Sequence, residues 1–325
     1  MNGRPLDLLR PVSRSFYVSI RLLPRNLREP VGLAYLLART TDTIADTSAI
    51  DVDLRIEMLR RTAGAIQGNG TAPGEELRRR FIPLQQNEPE RNLILGFESC
   101  IRNLEALSAQ DRADIRALLG TITRGQLLDL TRWRGGFAAL ANADELREYT
   151  YLVAGCVGEF WTRICFRKLD RFANRSESEM LELGRRYGSG LQLVNILRDA
   201  GADLRAGRCY FPADELRNAE VAPEDVLAQP AKFLPVYRRW LEESRIGLEA
   251  GVDYSVAITP ARVRVATSLP ALIGARTLGL IDQAGVNSLR ERVKVPRSQV
   301  RTMIASIAIT LAAPDRLRAM FSQLR

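Results

Sequence analysis

Apolar residues recur at three- and four-residue spacing along nearly the whole chain, with no run of strict alternation. A period near 3.6 marks helices that bury one face, whereas a period of two marks half-buried strands. The helical stretches read Leu27 to Ala45, Leu54 to Ile66, Leu93 to Leu107, Arg112 to Trp133 and Ala143 to Phe166. They continue as Glu177 to Leu204, Pro223 to Ala250, Pro260 to Ala284 and Ser298 to Leu324. Breaking residues fall between them at Gly68 to Gly74, Gly135-Gly136, Gly201 to Gly207 and Ala257 to Pro260. Thr259 reads as an N-cap with Pro260 at the first helical position. With no internal repeat and no low-complexity linker, the expectation is one all-α domain over residues 1–325, a helical bundle.

Composition narrows the function classes. The chain is 46% hydrophobic and 26% charged, as in a soluble globular protein. No 18-residue apolar run is present and the N-terminus lacks the apolar core of a signal peptide, so a cytoplasmic location is expected. The formal net charge is +9, carried mostly by Arg. Guanidinium groups suit phosphate oxygens, nucleic acid or an anionic membrane surface. No compact Lys/Arg run with interleaved aromatics appears, so nucleic acid is not an expected partner, while peripheral contact with the inner membrane stays open. Cys100, Cys156, Cys165 and Cys209 show no CxxC spacing and read as reduced thiols. The chain has no histidine, which excludes Ser-His-Asp and Cys-His nucleophile systems and His-ligated zinc. Any acid–base or metal chemistry must run on carboxylates, Tyr, Lys and Arg.

Two aspartate pairs stand out: Asp42-Thr-Ile-Ala-Asp46 and Asp199-Ala-Gly-Ala-Asp203. On a helix, residues four apart share a face, so each pair presents two carboxylates side by side. Like charges at that spacing destabilise a helix unless a cation or partner offsets them. Two solvated helix faces would show the same spacing, but both pairs end largely apolar segments. Opposed across a bundle, two such faces would make an oxygen site for hard cations, and Mg²⁺ typically uses one or two carboxylates plus substrate phosphates.

Each pair extends into a polar stripe. Tyr35, Arg39, Asp42 and Asp46 lie on one helical face, and Arg39 could make a structural ion pair or hold a phosphate. Gln192, Asn195, Asp199 and Asp203 form the second stripe, whose buried amides would need partners. Past it, the tight turn Gly207-Arg208-Cys-Tyr210-Phe-Pro212 places Arg208 and Tyr210 near the end of the acidic helix. Val12-Ser13-Arg14-Ser15-Phe16 reads as a helix entrance, either an N-cap at Ser13 or a phosphate cradle. Glu148 to Gly158 carries Gly155 and Gly158 in an apolar helix, where close approach of another helix or of a long apolar ligand beside Tyr149 would account for them.

Taken together, SRSF at 13–16, YLLARTTDTIAD at 35–46, YTYLVAGCVG at 149–158 and LQLVNILRDAGADLRAGRCYFP at 191–212 resemble the motifs of the squalene/phytoene synthase family, in order and over nearly the whole length. DTIAD, Leu269 to Leu278 and Val293 to Arg297 look more like squalene synthase than phytoene synthase. The resemblance implies an isoprenoid-synthase helical bundle around a central cavity. It implies Mg²⁺-dependent head-to-head condensation of two farnesyl diphosphates to presqualene diphosphate, and on to squalene with NADPH. A phytoene or dehydrosqualene synthase and a non-catalytic scaffold of the same fold are the alternatives. Carried onto matching positions, Asp42, Asp46, Asn195, Asp199 and Asp203 would hold Mg²⁺. Ser13, Arg14, Ser15, Arg39, Arg198, Arg208 and Lys294 would meet diphosphate directly or through metal, with Phe16, Tyr35, Gln192 and Tyr210 also in the substrate site. Tyr149 would assist proton abstraction during cyclopropane formation. The sequence departs from the eukaryotic squalene synthase pattern in showing no C-terminal membrane anchor. It also has Ala266, then Thr267, where an aromatic residue would precede the nicotinamide side.

Overall fold

The computed structural model describes residues 8–310 and 314–324, with the side chains of 13–16, 18, 307–310 and 314–315 excluded. These residues form two compact units, Met1–Arg134 and Gly135–Arg325.

The first unit is wholly helical among its described residues: α1 (Leu9–Leu22), α2 (Arg25–Asp46), α3 (Val52–Gln67), α4 (Gly74–Arg80), α5 (Glu88–Ala106) and α6 (Ala109–Arg132). Helix α2 is its centre and packs on α3, α5 and α6. It buries Leu27, Leu33, Leu36, Leu37 and Ile44, the three- and four-residue stripe seen in the sequence. Local signals fix the neighbouring ends. The Asp51 carboxylate accepts from the Asp53 and Leu54 amides at 2.9 and 3.4 Å and starts α3. Gly68, at φ +82°, ends it. The Ser108 hydroxyl accepts from the Asp111 amide and starts α6.

The second unit holds β1 (Ala138–Leu140), α7 (Ala143–Thr150), α8 (Cys156–Lys168), α9 (Glu177–Arg205), β2 (Arg208–Pro212), α10 (Ala213–Asn218), α11 (Pro230–Ala257), α12 (Ala261–Ala284), α13 (Arg297–Thr310) and α14 (Pro314–Gln323). Helix α9 opens on a capping box, in which Glu179 N–H donates to the Ser176 hydroxyl and Ser176 N–H donates to the Glu179 carboxylate. It packs on α8, α11 and α12. A Cβ at Gly188 would overlap the Ala154 carbonyl, one at Gly158 the Gly184 backbone, and one at Gly190 the Gly247 backbone. The glycines of the 149–158 segment therefore serve helix-on-helix approach. A π-helical turn, Tyr151–Gly155, joins α7 to α8 where that approach is tightest.

The all-α expectation holds, with one addition: β1 and β2 pair in parallel, Ala138 opposite Arg208 and Ala139 opposite Cys209. Strands this short leave no alternation to read. Gly201 does not break α9, which runs on to Arg205; it is buried in the helix because a Cβ would strike the Leu289 carbonyl. Thr259 is not a cap. Pro260 takes the N-cap position of α12, and Thr259 N–H instead donates to Phe172 O at 2.8 Å. No helix among the described residues is long and apolar enough to cross a membrane.

Candidate active site

The first acidic pair ends α2. Asp42 is half-buried and Asp46 exposed. Burial, and then the Asp46 charge, push the Asp42 carboxyl up to about 6, against opposing pulls from Arg39 and the Gln126 hydrogen bond. Gln126, buried on α6, donates its amide N–H to Asp42 Oδ1 at 2.5 Å and to the Thr41 hydroxyl at 3.1 Å. The two partner positions lie far apart in sequence, so spacing could not have revealed this contact. Arg39 reaches neither aspartate with a hydrogen bond. It pairs with Glu90 of α5 at 2.6 Å, the structural ion-pair option. The Tyr35 hydroxyl donates to Val12 O at 3.3 Å, tying α2 to α1.

The second pair ends α9, and guanidinium groups cover it. Arg198 forks onto Asp199, with Nε to Oδ1 at 3.1 Å and Nη2 to Oδ2 at 2.6 Å. Arg292 forks onto the same carboxylate, with Nε to Oδ1 at 2.7 Å and Nη2 to Oδ2 at 3.1 Å. Arg208, delivered by the Gly207 turn at φ +78°, donates to Asp203 Oδ1 at 2.8 Å. The turn thus does what its sequence suggested. Arg292 was missed, because nothing in Arg290-Glu-Arg292 ties it to an aspartate 93 residues earlier.

The amides of this stripe are not buried. Asn195 is exposed and donates to Gln192 Oε1 at 3.3 Å, and Gln192 is half-buried. They satisfy each other on a helix face open to solvent, so burial does not explain them. Tyr149 is buried on α7, and its ring stacks on Tyr210 of β2 with centroids 5.1 Å apart. Lys294 is exposed on the segment after α12. Residues 13–16 lie inside α1 rather than at a helix entrance, so their backbone N–H groups are engaged in the helix and no N-terminal cradle exists there. The side chains of Ser13, Arg14, Ser15 and Phe16 lie outside the described residues.

The donor chemistry fits a hard cation at the first pair. Two carboxylates four residues apart, one raised by burial and by its neighbour, are relieved by a bound cation. Within either unit, no three His, Cys, Asp or Glu side chains gather among the described residues, so each pair would need phosphate or water oxygens to complete a shell. The sequence departure at Ala266 and Thr267 falls inside the helical core of the second unit. Both are buried in α12, and the Thr267 hydroxyl donates back to the Val263 and Arg264 carbonyls.

The squalene/phytoene synthase family model matches residues 9–299. The chain belongs to the squalene/phytoene synthase family. Squalene synthase ERG9 of Saccharomyces cerevisiae is 30% identical over 215 residues, covering 64% of this chain and 45% of that protein. The chain thus matches under half the length of that yeast relative. The 15-cis-phytoene synthase of a Paracoccus species is 26% identical over 300 residues, covering 88% of this chain and 84% of that one. Among solved structures, ligand-bound TcSQS superposes with a TM-score of 0.73 at 19% identity, over 98% of this chain and 96% of that one. A ligand-bound dehydrosqualene synthase superposes with a TM-score of 0.65 at 20% identity, over 95% of each chain. These likenesses carry the isoprenoid-synthase helical fold. The family is one of prenyltransferases acting on prenyl diphosphates, and both squalene and phytoene synthases are among the relatives.

Proposed function

We propose that this chain is a prenyltransferase that condenses two farnesyl diphosphates head to head, with presqualene diphosphate as the first product. The observation that carries the reading is the pairing of carboxylates with guanidinium groups on α9: Asp199 with Arg198 and Arg292, and Asp203 with Arg208. Carboxylates and Arg forks side by side suit a substrate that is a polyanion bound with cations.

Asp42, Asp46, Asp199, Asp203 and Asn195 would hold Mg²⁺, which when bound supplies charge neutralisation to the diphosphate leaving group. The chain's own groups do the rest. Arg198 and Arg208 turn from carboxylate to phosphate oxygens, keeping the leaving group oriented as the allylic C–O bond breaks. The released diphosphate, an anion, takes the proton lost as the cyclopropane closes, and Tyr149, held by its stack on Tyr210, positions that base. Apolar helical walls keep water from the cation. Reduction to squalene would need NADPH, and no residue of this chain is assigned to it.

The test is incubation with farnesyl diphosphate and Mg²⁺, with and without NADPH, beside a parallel incubation with geranylgeranyl diphosphate. Presqualene diphosphate from the C15 substrate supports the proposal, and squalene appearing only with NADPH extends it to the reductive half-reaction. A phytoene-type reaction on the C20 substrate is the second reading, favoured by the 88% coverage of the Paracoccus relative. Consumption of neither diphosphate would refute both.

A further inference from the structure

Gln126 has one polar atom that its contacts at Asp42 leave unused. The side chain is 7% exposed, and its carbonyl oxygen Oε1 is buried with no hydrogen-bond partner among the described residues. Its amide nitrogen is spent on Asp42 Oδ1 at 2.5 Å and on the Thr41 hydroxyl at 3.1 Å. Those neighbours fix which way the amide faces. The Asp42 carboxylate offers only acceptors, and the Thr41 hydroxyl gives its own proton to Ala38 O at 2.8 Å, so it too must accept. Turning the amide over would set a carbonyl against a carboxylate oxygen. A buried acceptor without a donor is rare in folded proteins, and water or an ion is what completes it.

A second buried group lies beside the first. Thr123 is three residues earlier on α6, on the same helix face, and its hydroxyl is also buried without a partner among the described residues. Thr121 and Thr131 of the same helix return their protons to carbonyls one turn back, at 3.1 and 2.8 Å, and Thr123 does not. An acceptor and a hydroxyl on one buried face supply the two polar partners that an ordered water needs. Oε1 shares a carbon with the nitrogen that holds Asp42, which places that water next to the carboxylate.

We propose that Gln126 is a positioning residue that selects a hydrated cation at Asp42: its nitrogen holds the carboxylate, and its carbonyl oxygen, with the Thr123 hydroxyl, holds a water of the cation's own shell. This rests on the reading of Asp42 as a cation ligand. Mg²⁺ gives up water reluctantly and keeps several waters, whereas Ca²⁺ takes about six to eight oxygens in flexible geometry. A carbonyl set to receive a shell water therefore favours Mg²⁺ over Ca²⁺.

The experiment is calorimetric titration of the full chain with Mg²⁺ and, separately, with Ca²⁺, in wild type, Gln126→Met and Thr123→Val, with thermal melts to confirm folding. The quantity read is the ratio of Mg²⁺ to Ca²⁺ affinity, because any change in how Asp42 itself is held acts on both cations and cancels. Gln126→Met is expected to lower that ratio about 10-fold, the size of one hydrogen bond to a charged group. Thr123→Val, which keeps the shape and drops the hydroxyl, should lower it about 3-fold, and it decides the question if Gln126→Met does not fold. A ratio within twofold of wild type in the folded variants, with both cations weakened alike, makes Gln126 a support for Asp42 only and overturns the proposal while leaving the cation reading standing. A wild type that binds neither cation and consumes no prenyl diphosphate overturns the functional reading with it.

Discussion

Asp42 lies in the field of both Arg39 and Glu90, and those two pair with each other at 2.6 Å. The described hydrogen bond to Asp42 comes from a neutral amide, and its carboxyl is pushed up to about 6. Asp199 and Asp203 have the spacing of Asp42 and Asp46, yet they meet Arg198, Arg292 and Arg208. Among the contacts described, Asp42 meets a neutral amide where Asp199 and Asp203 meet guanidinium groups. Under the proposed function, pairs of equal spacing would start from different electrostatic states: Asp42 would meet a cation as it stands, and Asp199 and Asp203 would exchange guanidinium for cation as phosphate arrives.

The largest expected effect comes from deleting either pair's leading acid. Asp42→Ala and Asp199→Ala should each lower turnover of farnesyl diphosphate about 10³-fold, or ~4 kcal/mol of transition-state stabilisation. Melting temperatures should stay near wild type. Normal turnover in either variant would remove that pair from the chemistry.

Backbone support differs as well. Gly201 lies against the Leu289 carbonyl, so Gly201→Ala should cost about 1–3 kcal/mol through overpacking and loosen the segment that leads to Arg292. Urea denaturation reads the loss, and unchanged stability would mean the α9–Leu289 contact is looser than described.

Gln126 belongs to the first pair alone. Gln126→Met keeps the volume and removes the amide that holds Asp42, so kcat should fall about 10-fold with the fold intact. A fall in stability with no change in kcat would make Gln126 a packing residue.

The smallest effect is on stability against pH. The folded Asp42 carboxyl titrates near 6, above its ordinary 3.8, so the folded state binds the extra proton between those values. Wild-type stability contributed by this group is present below about pH 4 and is lost as pH rises through 6. Asp42→Asn removes that loss and should be more stable at pH 7.5, by on the order of 1 kcal/mol, while matching wild type near pH 4. Thermal melts at the two pH values check the sign, and a variant less stable at pH 7.5 would contradict it.

Much of this was legible in the sequence, for local reasons. The α2 and α9 stripes follow from helical period, and the Gly207 turn announced that Arg208 would reach the acidic helix. The resemblance in four ordered segments pointed to the family that the comparison then showed. What stayed hidden depends on contacts distant in sequence. Gln126 on Asp42, Glu90 on Arg39 and Arg292 on Asp199 leave no periodic trace. Gly201 misled because a glycine in a sequence reads as a break, whereas here it admits a neighbouring carbonyl inside a continuous helix. The SRSF segment misled because small hydroxyl residues suit a cap and can equally sit inside a helix, as they do in α1.

The contrast between the pairs is tested most directly by calorimetric Mg²⁺ titration of wild type, Asp42→Ala and Asp199→Ala, each without and with pyrophosphate. Binding of Mg²⁺ alone should vanish in Asp42→Ala and persist in Asp199→Ala, while with pyrophosphate present both variants should bind Mg²⁺ more weakly than wild type. Loss of Mg²⁺-only binding in Asp199→Ala, with Asp42→Ala unaffected, would contradict the assignment of the first pair as the cation-ready one.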